Sequence, residues 1–376
     1  MDVSIKGQKE LHKEIRKAQF CTGCGACVNL CPYHASYQDQ VVMLHSCDLK
    51  TGGCYAFCPR TPTDLEALRK LLFSSKDLTP EIGAVKAFYI VRAVDAAIRS
   101  GAQHGGTVTT LMSLALQERI IDTAVLSEEG RNLLPQGTVV CESTEVRKRS
   151  KSRFVVSPNV AEFNRLAKEG KKKIGIVATP CQALSLAKMH LKPLPIYAGG
   201  IDQLKLVIGL FCGWALSWRN LTTLLRQKIE PAEIEGMDIP PSKYHILQIY
   251  TKKGPMNISL DEINPCIREA CGYCPDLTAE FSDLSVGSAR LSEGWEEAKN
   301  WNQVIVRTSR GEELLQMARD RGLLEFRDVP KGALEKLKNA SMNKKRTAVR
   351  NLTTRSGNPQ DLIYLDSRDP VLGSLS

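Results

Sequence analysis

Long hydrophobic runs are missing from this sequence. Its longest apolar stretches, such as "LKLVIGLFC" at Leu204–Cys212, fall far short of the roughly 20 residues that cross a bilayer, so a membrane-spanning protein is not expected. The opening "MDVSIKGQKELHKEIRKAQF" mixes acidic with basic side chains and has no apolar centre, which is not a secretory leader; a cytoplasmic protein is expected. Histidine is scarce, six residues scattered along 376. Neither a Ser/His/Asp set nor a carboxylate pair stands out, so hydrolytic chemistry has no support. No G-x-G-x-x-G follows a strand-like segment, and an ordinary Rossmann dinucleotide site is not signalled. Aromatic residues make up only 6%, and the basic clusters "RKRSKSR", "KKK" and "NKKR" have none among them. The net charge of +10 therefore suits an acidic partner better than nucleic acid.

Cysteine, by contrast, is abundant and unevenly placed. Thirteen occur; seven lie between Cys21 and Cys58, three between Cys266 and Cys274, and Cys141, Cys181 and Cys212 stand alone. Core cysteines would scatter, and a reducing compartment disfavours disulfides, so the clustering points to metal. Zinc sites usually show two C-x2-C knuckles a dozen or more residues apart. Here Cys21, Cys24, Cys27 and Cys31-Pro32 form the C-x2-C-x2-C-x3-C-P run of bacterial ferredoxins. Three thiolates from one tight loop can cap a cubane cluster, while Gly23 and Gly25 let backbone N–H groups turn toward its sulfides. Cys31 is expected to leave on a short helix toward a second cluster. The second lobe, "HSCDLKTGGCYAFCPR", keeps Cys54-x3-Cys58-Pro59 but has Thr51 where a thiol would repeat and Cys47 one step early. The first cluster is thus assigned Cys21, Cys24, Cys27 and Cys58. A second keeps Cys31, Cys47 and Cys54, with Asp48, another side chain or water in the fourth corner, or a three-iron cluster, or a degenerate site.

Residues 1–75 therefore read as a ferredoxin-like α+β module. "PRTPTDLEALRKLLFSSKDLTP" follows as a helix capped near Thr63 or Asp64, then a linker to about Pro80. Beyond it, strand-like "AVKAFYIVRAVD", "DTAVLSE", "KKKIGIVATP" and "KLVIGLFC" alternate with helix-like "GGTVTTLMSLALQERII" and "CQALSLAKMHL", the pattern of an α/β domain. Cys181 sits where a strand gives way to a helix and Cys212 ends another strand. Carboxyl ends of strands gather on one ligand-binding edge, so the two thiols can meet there. "NPCIREACGYCPD" adds Cys271 and Cys274 as a C-x2-C pair, with Cys266 as a substitute. The other reading of Cys181 and Cys212 is as small buried apolar residues.

In "CTGCGACVNLCP", "CYAFCPR", "GAQHGGTVTTLMSLALQERIID", "SKSRFVVSPN", "ATPCQAL", "IGLFC", "REACGYCPDLTAEFSDLSVGS" and "VIVRTSRGEELL", the chain resembles the coenzyme F420 hydrogenase/dehydrogenase beta-subunit family. The likeness runs in order to about residue 330. It implies an α/β domain over 80–330 holding FAD beside a [4Fe-4S] cluster on Cys181, Cys212, Cys271 and Cys274. It also implies flavin contacts from Arg92, the turn Gln103-His104-Gly105-Gly106 with Thr107, and Lys151, Ser152, Arg153 and Phe154. The residue chemistry agrees, since glycines allow close backbone approach, a helix amino terminus favours phosphate and arginine matches phosphate oxygens. Taken alone, "RKRSKSR" is a solvated basic face.

The function so implied is electron transfer: hydride exchanged at FAD with coenzyme F420 or another two-electron carrier, and single electrons passed through two or three clusters to a partner complex. Hydrogenase, formate dehydrogenase, heterodisulfide reductase-like and membrane dehydrogenase complexes are the expected partners, the last placing the chain at the cytoplasmic face of a membrane. Two alternatives remain, a stand-alone ferredoxin-dependent flavin reductase of a small organic substrate and a non-catalytic relay subunit. Three departures bear on the substrate face: His104 stands where the family carries an acidic residue, Ala289-Arg290 interrupts a glycine-rich turn, and an insertion spans Glu296–Asn302. The tail, residues 331–376, begins helical and is expected to form an arm that docks on a partner.

Overall fold

Loops dominate the first sixty residues. In the computed structural model, which describes residues 4–191, 194, 200–240 and 244–375, the regular elements there are few. They are a helical stretch over 8–16, a hairpin of His34–Tyr37 with Gln40–Met43, and one helical turn at Gly53–Ala56. The cysteine loop turns on Gly23 and Gly25, whose φ angles of 74° and 87° lie in the left-handed region. A Cβ at Gly25 would meet the Ala161 nitrogen at 2.8 Å and the Pro158 oxygen at 2.9 Å, so this loop is pressed against the next domain. The short helix expected to carry Cys31 is absent; residues 26–33 form turns, with an isolated bridge between Val28 and Cys31. The reason is a competing partner. Asn164 Nδ2 takes the carbonyls of Ala26 and Val28 at 3.0 and 2.8 Å, two acceptors that a helix would have used itself. The helix Leu65–Leu72 follows, with Asp64 as its cap accepting from Ala67 N at 2.9 Å.

The centre of the molecule is an eight-stranded sheet. Its strands are β1 (Ala87–Ala93), β2 (Thr123–Glu128), β3 (Gln136–Val140), β4 (Ile174–Ala178), β5 (Leu204–Leu210), β6 (Leu284–Ser288), β7 (Asn302–Val306) and β8 (Leu324–Arg327), in the order β8-β1-β7-β6-β5-β4-β2-β3. The four central strands β6, β5, β4 and β2 are parallel, and the outer pairings are antiparallel. Consequently β1, β2, β4, β5 and β6 all point their carboxyl ends to one edge. Strand β4, "IGIVA", is buried throughout, as a parallel strand covered on both faces must be. One apolar cluster joins the helices Asn159–Lys168 and Pro180–His190 to the cysteine module; another packs Thr107–Gln117 and Ser309–Asp320 on the other face. A separate three-stranded antiparallel sheet, Ile234–Asp238, Ile246–Thr251 and Gly254–Ser259, packs with the helix Trp218–Arg226.

The tail folds back on its own chain. Helix Ala333–Ser356 runs between left-handed glycines at 332 and 357. It buries Leu337, Ser341, Lys345, Ala348 and Leu352, a stripe at helical spacing that includes a hydroxyl and a charge. Among the described residues no helix is long and apolar enough to cross a membrane.

Candidate functional site

The carboxyl edge of the sheet collects the thiols that the sequence keeps apart. After β4, Thr179 caps the helix Pro180–His190, and a reciprocal hydrogen bond with Gln182 fixes that turn; Cys181 is its second residue. Cys212 lies two residues past β5. Cys271 and Cys274 sit on the loop after residue 268, where Ala215 N donates to Cys271 Sγ at 3.3 Å. Burial raises the Cys181 thiol, with Cys274 and Cys271 adding to the rise, and Cys212 is raised by burial and then by Cys271, Cys181 and Cys274. Since Cys271, Cys181 and Cys274 all act on Cys212, the four form one group.

Two further groups lie in the amino-terminal module. Cys27 is raised by burial and then by Cys21 and Cys58. Cys54 is pushed up to about 12 by burial and then by Cys31, with Cys58 and Cys47 contributing. Cys24 is raised by burial and next by Cys181, ahead of Cys58, so it faces the sheet-edge group. Electrostatic influence thus links Cys31/Cys47/Cys54 to Cys21/Cys24/Cys27/Cys58, and the latter to Cys181/Cys212/Cys271/Cys274. All thirteen cysteines are free. Among the described residues, no three His, Cys, Asp or Glu side chains are drawn together tightly enough for a single metal ion; the thiols gather at the longer range over which they influence one another. Cys266 does not join them. It is buried in the apolar cluster with Val155, Leu216 and Ile258, and burial alone raises it. Cys141 is exposed.

Sequence reasoning missed the buried cations around these thiols. Lys188, seven residues after Cys181 on the same helix face, is 4% exposed. Its ammonium donates to the carbonyls of Cys58, Thr61 and Pro62 and to the hydroxyls of Thr61 and Thr63, at 2.7–3.3 Å. Burial lowers its pKa to about 7, against a pull upward from Cys58. Arg60 is buried after Cys58-Pro59 and donates to Tyr364 Oη and to the carbonyls of Tyr273 and Ala270. Burial weighs against its charge, but Tyr364, Cys274, Cys181 and Cys271 outweigh it and raise it. Cys274 alone of the sheet-edge thiols is lowered: burial raises it, and Lys344 and Arg60 more than reverse that. The seven-residue step from Cys181 to Lys188 was a legible signal; Lys344, from the tail, carried none.

The turn predicted to approach a flavin lies on the same edge, after β1. Gly106 has φ 79° and opens the helix Thr107–Gln117. At Gly105 a Cβ would meet Asn302 Oδ1 at 2.8 Å. Gln103 Oε1 accepts from Ser152 N at 3.4 Å, and the carbonyl of Phe154 accepts from Leu216 N at 2.7 Å. This chain of contacts runs from the turn through residues 152–154 and 215–216 to Cys271. Three buried polar atoms of the predicted flavin set have no partner: His104 Nδ1, Thr107 Oγ1 and Arg153 Nε. Arg92 is turned elsewhere, bonded to Glu325 at 2.7 Å and stacked over Trp301 at 4.3 Å. Lys151 is exposed and, among the described residues, reaches the Glu235 carbonyl at 3.4 Å. Trp295, one residue before the insertion, packs edge-on against His104 at 5.5 Å. The insertion itself abuts the turn, since a Cβ at Gly105 would meet the Asn300 carbonyl at 3.0 Å.

The buried thiols suit iron–sulfur clusters; of the expected flavin contacts, His104, Thr107 and Arg153 offer buried unpartnered atoms, while Arg92 is paired with Glu325 and Lys151 is exposed. Burial holds most of these thiols well above the range where they ionise, a cost that iron binding offsets by taking them as thiolates. Arg16 Nη1 and Nη2 are buried, unpartnered donors beside the amino-terminal thiols, of the kind that cluster sulfides accept from. His34 is not the missing fourth ligand. Gln8 Nε2, fixed by its bond to the His45 carbonyl, donates to His34 Nε2 at 3.2 Å, which places the proton on Nδ1 and leaves neither nitrogen free to ligate.

Residues 18–37 match a 4Fe-4S binding domain. Residues 88–163 and 171–332 match the amino- and carboxy-terminal regions of the beta subunit of coenzyme F420 hydrogenase/dehydrogenase. Among curated proteins, the chain is 30% identical to coenzyme F420 hydrogenase subunit beta of Methanothermobacter thermautotrophicus, over 73% of this chain and 96% of that one. It is 26% identical to an F(420)H(2) dehydrogenase subunit of Methanosarcina mazei, over 86% and 88%. A chain in the F420-reducing [NiFe] hydrogenase complex from Methanosarcina barkeri shares the fold, with a TM-score of 0.65 and 23% identity, over 74% of this chain and 95% of that one.

Proposed function

The chain belongs to the coenzyme F420 hydrogenase/dehydrogenase beta-subunit family, and from that premise we propose that it is an iron–sulfur flavoprotein subunit of a redox complex. In this reading it joins a two-electron carrier, F420 first among them, to one-electron carriers. Cys181, Cys212, Cys271 and Cys274 would seat one cubane cluster, Cys21, Cys24, Cys27 and Cys58 another, and Cys31, Cys47 and Cys54 a third with a non-cysteine corner. His104, Thr107 and Arg153 would hold FAD, with Gly105 and Gly106 allowing close approach. Bound FAD supplies the exchange between hydride and single electrons.

The chain's own residues do the rest. Arg60 holds positive charge beside the sheet-edge thiols and fastens the two sites through Tyr273, Ala270 and Tyr364, while Lys188 binds the Cys58 carbonyl. Trp295 covers the His104 turn and restricts water there. The observation that carries the reading is the convergence of four cysteines from three distant segments on the sheet edge that also bears the turn with unpartnered polar atoms. Anaerobic purification followed by iron, sulfide and flavin analysis tests it. Bound flavin with at least two clusters' worth of iron and sulfide supports it; iron without flavin leaves a relay subunit, and zinc without sulfide ends the proposal. Turnover by the isolated chain with reduced ferredoxin and a small organic acceptor would favour a stand-alone reductase.

A further inference from the structure

The tail helix Ala333–Ser356 begins where the family match stops, at residue 332, yet it is bonded to the loop that carries two of the sheet-edge thiols. Asn351 Nδ2 donates to the Gly272 carbonyl at 2.8 Å, and Arg355 Nη1 donates to Glu269 at 2.7 Å and Tyr273 Oη at 2.8 Å. Past the helix, Tyr364 Oη donates to the Tyr273 carbonyl at 2.6 Å. Gly272 and Tyr273 lie between Cys271 and Cys274. A further bond, Ser341 Oγ to the Glu81 carbonyl at 2.7 Å, ties the helix's first half to the start of the α/β domain.

Two adjacent lysines on this helix have different fates. Lys345 is buried and neutralised by Glu280. Lys344 donates its ammonium to the Cys212 carbonyl at 2.5 Å, and among the described residues no carboxylate is bonded to it. The charged groups facing it are the thiols of Cys274, Cys212 and Cys271 and the carboxyl of Asp276. A cationic side chain bonded to the backbone of one thiol-bearing residue, and facing three thiols with a single carboxyl, is a counter-charge for what those thiols hold. We propose that the tail helix is a strap that lays Lys344 against the Cys181/Cys212/Cys271/Cys274 cluster as a positioning residue, raising that cluster's reduction potential. This rests on the ligand set proposed above. The physical reason is electrostatic: reduction adds one electron to a buried, already anionic group, and a fixed ammonium within the ligand shell stabilises the reduced form more than the oxidised one.

The test is an anaerobic redox titration of the full-length holoprotein followed by electron paramagnetic resonance, with the sheet-edge cluster assigned by the signal that Cys181→Ser removes. In Lys344→Gln the reduced-to-oxidised ratio of that signal at fixed potential should fall about tenfold, a midpoint lower by about 59 mV. Lys344→Arg should keep the parent midpoint, and Arg346→Gln, an exposed change on the same helix, should not move it. A parent midpoint in Lys344→Gln with full iron content overturns the strap and leaves the ligand set standing. If Lys344→Gln loses the signal, Lys344→Arg decides: a retained signal at the parent midpoint upholds the charge requirement, and loss in both overturns it. Should Cys181→Ser remove no signal, ligand set and strap fall together.

Discussion

Arg268→Met should be among the most damaging single changes outside the thiols. Arg268 and Asp39 form a buried ion pair, 8% and 0% exposed at the side chain, at 2.5 Å. The arginine also donates to the backbone oxygens of Asp39 and Cys21 at 2.9 and 3.2 Å. It comes from the segment just before Cys271, while Asp39 sits in the amino-terminal hairpin, so this one side chain fastens the cysteine loop to the α/β domain. Replacing it leaves the Asp39 carboxylate, among the described residues, with a single remaining donor, Trp218 N at 3.0 Å. Stranding one charge of a buried pair costs about 3–5 kcal/mol. At about 2 °C per kcal/mol, the low end of the range for large chains, that lowers the melting temperature by roughly 6–10 °C. The double variant Asp39→Asn/Arg268→Met removes the stranded charge and should recover at least half the loss. Differential scanning calorimetry of anaerobic holoprotein reads both. A single variant melting within 2 °C of the parent, or a double variant melting below the single, would refute the reasoning.

Three other outcomes follow. Cys181→Ser should remove one cluster's worth of iron and sulfide while the amino-terminal clusters stay; unchanged iron would disprove its role as ligand. Gly25→Ala combines a left-handed φ of 87° with a collision at 2.8 Å on the Ala161 backbone, so iron should drop at the amino-terminal module with flavin content unaffected. His104 is lowered from its usual value by burial, with Asp238 pulling the other way and Arg290 adding to the lowering. Below about pH 6.5 the unfolded chain therefore binds a proton that the folded His104 refuses, and stability falls with pH. His104→Gln lacks this component, so its melting temperature should drop less than the parent's between pH 7 and pH 5; parallel profiles would contradict the assignment.

The sequence alone determined what can be written as spacing. Cysteines three apart closed by a proline, the aspartate that caps Leu65–Leu72, and the alternation of short apolar strands with helices are local patterns. Each was legible because neighbours along the chain are neighbours in space. The short helix expected at Cys31 failed because Asn164, far along the chain, takes the carbonyls it needed. Tertiary structure alone decided that Cys266 packs in an apolar cluster while Cys212 faces the other thiols, that Trp295 lies against His104, and that the tail turns back to bring Lys344 to Cys212. The reason is that such partners are selected by which strand ends share an edge of the sheet, and strand order is set by packing between segments that no periodicity connects.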